Sequence, residues 1–395
     1  MRMLRVGAAL LALSSTAFAQ DFGVEWIDRI THELQQEQGP LPTVPTKFTA
    51  YGGVIYYYDN NVFREENNEN ADSIVIPWVR GRLDYSEPDV DAVADILLNY
   101  KWYSSEDEES DHEERFFGRA RYVGSRLQAE LAEVIRRESD PIDAVFTERV
   151  DRIVSNTFPR ITYDINGTFI VEASANLQVV RFGDDAFEAV NNVNYRADIS
   201  FIYRTPRDWD FLAQVGYLSI DYDESTSIDS TGWYGRLGFR GALTETISAE
   251  AYAGATAIQS DDIPATGVEA EHLTGDFGIH VRYLATSKLT VSADYGRRFS
   301  FATGADPFEV VDRALMLFEY QFNEKLSMRG RVQFEHVHPE LGETRDYYSG
   351  SIGAEYKITS WLLVEGGGTY RASKTDGPGT EYDDMILRIG LAASY

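Results

Sequence analysis

Six histidines are the residues best suited to acid–base or metal chemistry in this 395-residue chain, and none sits in a constellation that would use it. His272 and His280 share one face of an alternating segment, and His336 and His338 share another. Neither pair has a third ligand at a useful spacing. Cysteine is absent, which removes thiolate chemistry, disulfides and the usual structural zinc ligands. No Gly-x-Ser-x-Gly, Walker loop or His-Glu-x-x-His occurs. The acidic run Glu106, Asp107, Glu108, Glu109, Asp111, Glu113 and Glu114 lacks the ligand order of a calcium loop, so it reads as a solvated loop. The expectation is a protein that is not an enzyme, with no cofactor and no metal.

The charged residues show a different regularity. They recur at every second position, opposite an apolar face. In 190–204, Asn194, Arg196, Asp198, Ser200 and Arg204 oppose Val193, Tyr195, Ala197, Ile199, Phe201 and Tyr203. In 271–284, His272, Thr274, Asp276, His280 and Arg282 oppose Leu273, Phe277, Ile279, Val281 and Tyr283. The same placement assigns Arg119, Arg121, Arg236, Arg240, Glu250, Asp294, Arg298, Arg329, Arg331, Glu335, Asp384 and Arg388 to the polar face. Together with Arg196, Asp198, Asp276 and Arg282 they are candidates for lining a lumen. A wall of mixed charge can hold water and hydrogen-bond a passing polar solute. For any single residue, pairing across strands without a transport role is the competing reading.

Elements with period-two alternation are strands. Eighteen alternating blocks follow one another, from 47–58 to 380–395, most of them ten to sixteen residues long. RLQAELAEVIRR at 126–137 suits a helix as well as a strand. Short turns such as 242–248, 284–290 and 322–328 alternate with long acidic loops such as 59–72 and 104–114. Sandwich strands run about five or six residues. These are long enough to cross a tilted hydrocarbon layer. Aromatic residues mark many block ends: Trp78, Tyr100, Trp102, Tyr203, Trp209, Trp233, Tyr283, Tyr320, Trp361 and Tyr370 suit interfacial girdles. The fold class expected is all-β: a transmembrane antiparallel up-and-down β-barrel of about 18 strands, with a short N-terminal periplasmic helix.

The N-terminus supports an exported protein. Arg2 and Arg5, the apolar run 6–13 and Ala17-Phe18-Ala19 have the order of a signal peptide over 1–19. Cleavage before Gln20 leaves 34 basic and 64 acidic residues, a net charge of −30. That balance excludes nucleic acid as a partner. No later stretch reaches the ~18 apolar residues of a spanning helix. Residues 20–46 then form a periplasmic segment. In its 24–38 stretch Trp26, Ile27, Ile30 and Leu34 have helical spacing, and Gly39, Pro40, Pro42 and Pro45 end it. Residues 47–395 form the barrel, in a bacterial outer membrane.

Two stretches carry resemblances. The last block alternates through Met385, Leu387, Ile389, Leu391 and Ala393 to Tyr395. It is similar to the C-terminal signal read by the barrel-assembly machinery, with Ile389, Leu391 and Tyr395 as its assembly residues; the usual last residue is Phe. The first block reads AYGGVIYYYDNNVFRE. Its turn, Asp59, Asn61, Val62, Phe63 and Arg64, resembles that of the β-barrel porin 2 family, with Asn60 where Ser is common. The resemblance implies an eighteen-stranded channel for export of an exopolysaccharide or capsular polysaccharide. A passive porin for small polar solutes and a structural or adhesive surface barrel are the alternatives. The partners expected are outer-membrane lipid and lipopolysaccharide and the assembly machinery; a polysaccharide and periplasmic export proteins follow from the resemblance.

Overall fold

The computed structural model describes residues 46–62, 71–105, 110–139, 150–206, 209–223, 228–263, 268–300, 308–339, 343–375 and 381–394. The signal-peptide stretch, the 24–38 segment, Glu106 to Glu109, Phe63, Arg64 and Tyr395 lie outside the described residues. The described chain runs through β1 (Thr46–Asp59), β2 (Asp72–Glu87), β3 (Val90–Tyr103), β4 (Asp111–Val123), β5 (Leu127–Glu138), β6 (Arg152–Asp164), β7 (Phe169–Phe182), β8 (Asn192–Arg204) and β9 (Asp210–Tyr222). It continues through β10 (Ser230–Ala242), β11 (Ile247–Ile263), β12 (Val268–Leu284), β13 (Leu289–Ser300), β14 (Glu309–Gln321), β15 (Leu326–Pro339), β16 (Arg345–Thr359), β17 (Leu362–Thr375) and β18 (Tyr382–Ser394). A short 3-10 turn, Asp185–Val190, lies between β7 and β8.

Each strand pairs antiparallel with its neighbours in sequence, and β1 pairs with both β2 and β18. The sheet is a closed ring without an edge, so the strand backbones satisfy one another. The alternating blocks and the strands coincide, with ends that differ by a few residues. The 126–137 ambiguity resolves as strand: β5 pairs with β4 over Gln128–Arg137 and with β6 over Leu127–Glu138. Two flanking ladders override the helix preference of its Leu, Ala and Glu residues, because an unpaired gap would open the ring.

Several short turns share one device. A Thr or Asn side chain accepts hydrogen bonds from backbone N–H groups two and three residues on, as a turn carbonyl would. Asn323 Oδ1 takes Lys325 N at 2.8 Å and Leu326 N at 3.0 Å, and Thr286 Oγ1 takes Lys288 N and Leu289 N. In the β6–β7 turn Asn166 does the same for Thr168 and Phe169, and Gly167 adopts φ 80°, the left-handed conformation an Asn-Gly turn needs. Pro77 and Pro159 sit inside strands, where each interrupts the ladder on one side only, facing β3 and β7.

The ring closes at the β1–β18 seam, from Tyr51 opposite Ser394 to Asp59 opposite Ile386. The family-like turn sits at its end. Asp59 Oδ1 accepts the Asn61 backbone N–H at 2.9 Å, and the fully buried Asn61 donates through Nδ2 to the Asp383 carbonyl of β18 at 3.1 Å. Asn60 extends the ladder: its N–H donates to Met385 O at 3.3 Å, and its side-chain oxygen accepts the Met385 N–H. The described part of the motif is therefore a latch on the seam. Asn61→Ala removes this donor from the part-buried bond to the Asp383 carbonyl and is expected to destabilise the barrel by about 0.5–1.5 kcal/mol. Urea unfolding of the detergent-folded protein measures it; an unchanged midpoint would show that the backbone ladder alone holds the seam.

Candidate functional site: the inner wall

Parity along each strand divides the ring into two walls. The outer wall carries the exposed apolar side chains, among them Val79, Ile96, Leu98, Leu131, Val215, Leu237, Leu273, Val332, Ile352, Leu387 and Ile389. Leu273 is 72% exposed and Leu237 69%, which only a lipid environment makes favourable. Tyr100, Trp102, Trp233 and Tyr370 lie towards the long-loop ends, and Tyr203, Tyr283 and Trp361 towards the short-turn ends, all exposed on this wall. Cross-strand ring pairs reinforce the belt, such as Trp209 with Phe239 at 5.7 Å and Phe169 with Tyr203 at 5.3 Å.

Some of the described residues depart from the expected pattern. Trp78, expected in a girdle, points inward and is buried against Tyr51, Ile55 and Leu97. The reason is its even position on β2, which Arg80 and Ile76 share on the inner face. Glu133 has the opposite displacement. It lies on the outer face of β5, in register between Gly118 and Thr157, and accepts hydrogen bonds from the Ser155 and Thr157 hydroxyls of β6. Those donors replace part of the hydration that a carboxylate facing lipid loses.

The sixteen lumen candidates from the sequence all fall on the inner face. Most are paired there. Asp91 accepts from Arg119 at 3.1 Å and from Arg121 at 2.6 Å. Arg388 meets Glu365 at 2.9 Å, Asp384 meets Arg371 at 2.6 Å, Arg329 meets Glu355 at 3.1 Å, and Glu335 faces Arg313 at 3.4 Å. Arg240 shares Asp210 with Arg204, His280 Nδ1 lies 2.6 Å from Asp294, and Gln214 donates to Asp198. Arg331 donates to Gln333. Alternation also places Arg80 and Asp95 inward, but spacing does not pair Arg80 with Asp95 or Lys101 with Glu113, each pair 2.7 Å apart and nearly inaccessible to water. Those partners lie on adjacent strands, so only the register brings them together.

The β8–β13 arc is different. Among the described residues, Arg196, Arg282 and Arg298 make no ion pair. Arg196 donates through Nε to the Tyr234 hydroxyl at 3.0 Å, and its guanidinium lies 4.4 Å from that ring's centre. Arg236 stacks on the same ring at 4.6 Å and on Tyr252 at 4.8 Å, and its Nε reaches Asp276 at 2.6 Å. Arg298, on the inner face of β13, lies within electrostatic reach of Arg313, Glu335, Tyr252 and Arg196. The result is a strip of alternating guanidinium and phenol along the wall. Glycine makes it possible. Tyr234 lies flat over Gly216 and Tyr252 over Gly278, where an added Cβ would sit 2.3 Å and 2.6 Å from the rings.

The remaining sequence candidates do not converge. His336 pairs with Asp346 at 2.5 Å and stacks edgewise on His338, both on the outer face near the long loops. Among the described residues no group of three or more His, Asp or Glu could hold a metal.

A closed ring of eighteen strands, apolar outside and charged inside, defines a bacterial outer-membrane β-barrel. No protein-family model matches the sequence, and no curated protein matches it. Among solved structures it is similar to Pseudomonas aeruginosa OpdK with vanillate, at 11% identity over 88% of this chain and 99% of that chain, with a TM-score of 0.49. It is similar to Pseudomonas aeruginosa OccK2 (OpdF) in complex with glucuronate, at 13% identity over 88% and 98%, with a TM-score of 0.49. Acinetobacter baumannii OccAB3 gives 11% identity over 88% and 100%, with a TM-score of 0.45. The outer-membrane assignment follows from the two walls of the barrel, not from these likenesses.

The close seating of Tyr234 can be tested directly. Gly216→Val displaces the ring and is expected to destabilise the barrel by roughly 1–3 kcal/mol, the usual range for overpacking. The double variant Gly216→Val/Tyr234→Ala removes the clash and recovers most of that loss in denaturant unfolding. Equal losses in both variants would mean that the ring does not depend on the glycine.

Proposed function

We propose that the barrel is a channel for small polar solutes, which it meets on the arginine–tyrosine strip of the β8–β13 arc. The observation that carries this is Arg196, without an ion pair, sharing the Tyr234 ring with Arg236, which also stacks on Tyr252, with Arg298 within electrostatic reach, on an inner wall where most charges are cross-linked in pairs. Eighteen strands enclose enough space for an aqueous passage. Charges already paired hold the wall rigid and have little attraction left for a solute. Unpaired guanidiniums on a flat phenol face retain donors and positive charge for carboxylate, phosphate or hydroxyl groups. The acidic loops would set the field at the long-loop mouth, while the strip sets local binding within. The resemblance to a polysaccharide-export family has no family match behind it, so a channel for small solutes is the better-supported reading.

The mature protein reconstituted in planar bilayers is expected to show discrete conductance steps. Arg196→Ala/Arg298→Ala should raise its cation-over-anion permeability by roughly two- to five-fold, because two charges leave a confined field. A barrel that gives neither steps nor liposome swelling with small polar solutes would overturn the reading; an unchanged permeability ratio would remove the strip from it.

A further inference from the structure

The inner wall has a second departure from its charged pattern. Across β17, β18, β1, β2 and β3 it turns apolar: Leu363, Ala392, Tyr51, Ile55, Tyr57, Ile74, Ile76, Trp78, Leu97 and Tyr103 form one cluster. Ion pairs adjoin it in register: Arg80, paired with Asp95, lies between Tyr51 and Leu97, and Arg388, paired with Glu365, lies opposite Tyr57. Ile55, Leu363 and Ala392 are completely buried. Apolar side chains gathered on the lumen side of a single-layer wall are placed favourably only where a second apolar surface lies on them. The Trp78 indole N–H is buried in the same patch and has no hydrogen-bond acceptor among the described residues.

We infer that this patch seats the chain's own N-terminal segment, with the apolar stripe Trp26, Ile27, Ile30 and Leu34 against it. Three features select that occupant. The first is the tether. Residues 39–45 run directly into Thr46 and span at most about 25 Å. That reaches Gly53, about 23 Å up β1 from Thr46, level with Ala392 at the lower border of the patch. The second is length. Fifteen helical residues, 24–38, span about 22 Å. Gly53 to Asp59 covers about 20 Å of strand, the height over which Ile55, Tyr57, Ile74 and Ile76 face inward. The third is chemistry. The stripe is apolar where the patch is apolar, while Asp28, Arg29, Glu33 and Gln36 are left for the water of the lumen, and the segment's carboxylate and amide oxygens are acceptors of the kind the Trp78 N–H lacks. The polar long loop after β1, 63–70, offers no such stripe. Seated there, the segment covers the wall opposite the arginine–tyrosine strip and leaves that strip facing the passage.

The test uses the absence of cysteine. Ile30→Cys makes one thiol in the full mature chain, and a benzophenone maleimide on it cross-links its surroundings under ultraviolet light. Mass spectrometry of the digest should place the cross-links in β1–β3 and β17–β18. Adding Ile55→Asp and Ile76→Asp should lower their yield at least five-fold, while the far-UV β signal and heat-modifiable mobility of the barrel persist. Cross-links confined to β8–β14, cross-links to no strand, or a yield unchanged by the two aspartates would each overturn the inference. The cross-link reports docking whether or not the barrel conducts, so its failure is separate from failure of the channel reading.

Discussion

The constraint on which the structure depends is that no backbone N–H or C=O can go unpaired in hydrocarbon. A sheet meets it only by closing on itself. Closure makes the β1–β18 seam as necessary as any consecutive hairpin, and the turn after β1 contributes to it through Asn60 and Asn61. A resemblance that would ordinarily be read for function thus marks a structural latch. Closure also gives every strand one face towards lipid and one towards the lumen, so parity alone assigns each side chain its solvent.

Within that frame the inner wall is not uniform. Where oppositely charged residues meet across strands, the wall is neutralised and stiffened. Where glycines let Tyr234 and Tyr252 lie flat, guanidiniums stack on the rings and keep unused charge. Where apolar residues gather on β1–β3 and β17–β18, the wall offers an apolar surface instead of a charged one. Three kinds of interior chemistry therefore share one ring, and single strands carry more than one of them: β17 and β18 hold both the Arg388–Glu365 pair and part of the apolar patch.

Glu133 and Trp78 show how parity can mislead when residue type is read alone. A glutamate suggests the lumen and a tryptophan the girdle, yet each lies on the other wall. Each is accommodated by neighbours on adjacent strands: Ser155 and Thr157 donate to the carboxylate, and Gly53 leaves room for the indole. No spacing within β5 or β2 reports those neighbours.

The sequence by itself determined the strand number, the two-walled character and the alternation of short turns with long loops. All of these are local, period-two properties of one strand at a time. Only the tertiary structure decided which charges are paired and which are not, that Tyr234 and Tyr252 form a strip with Arg196 and Arg236, that 126–137 is strand, and that an apolar patch crosses the lumen wall. Those outcomes depend on the register between strands and on the ring that joins β18 to β1. A one-residue slip, invisible in any single segment, would exchange every partner.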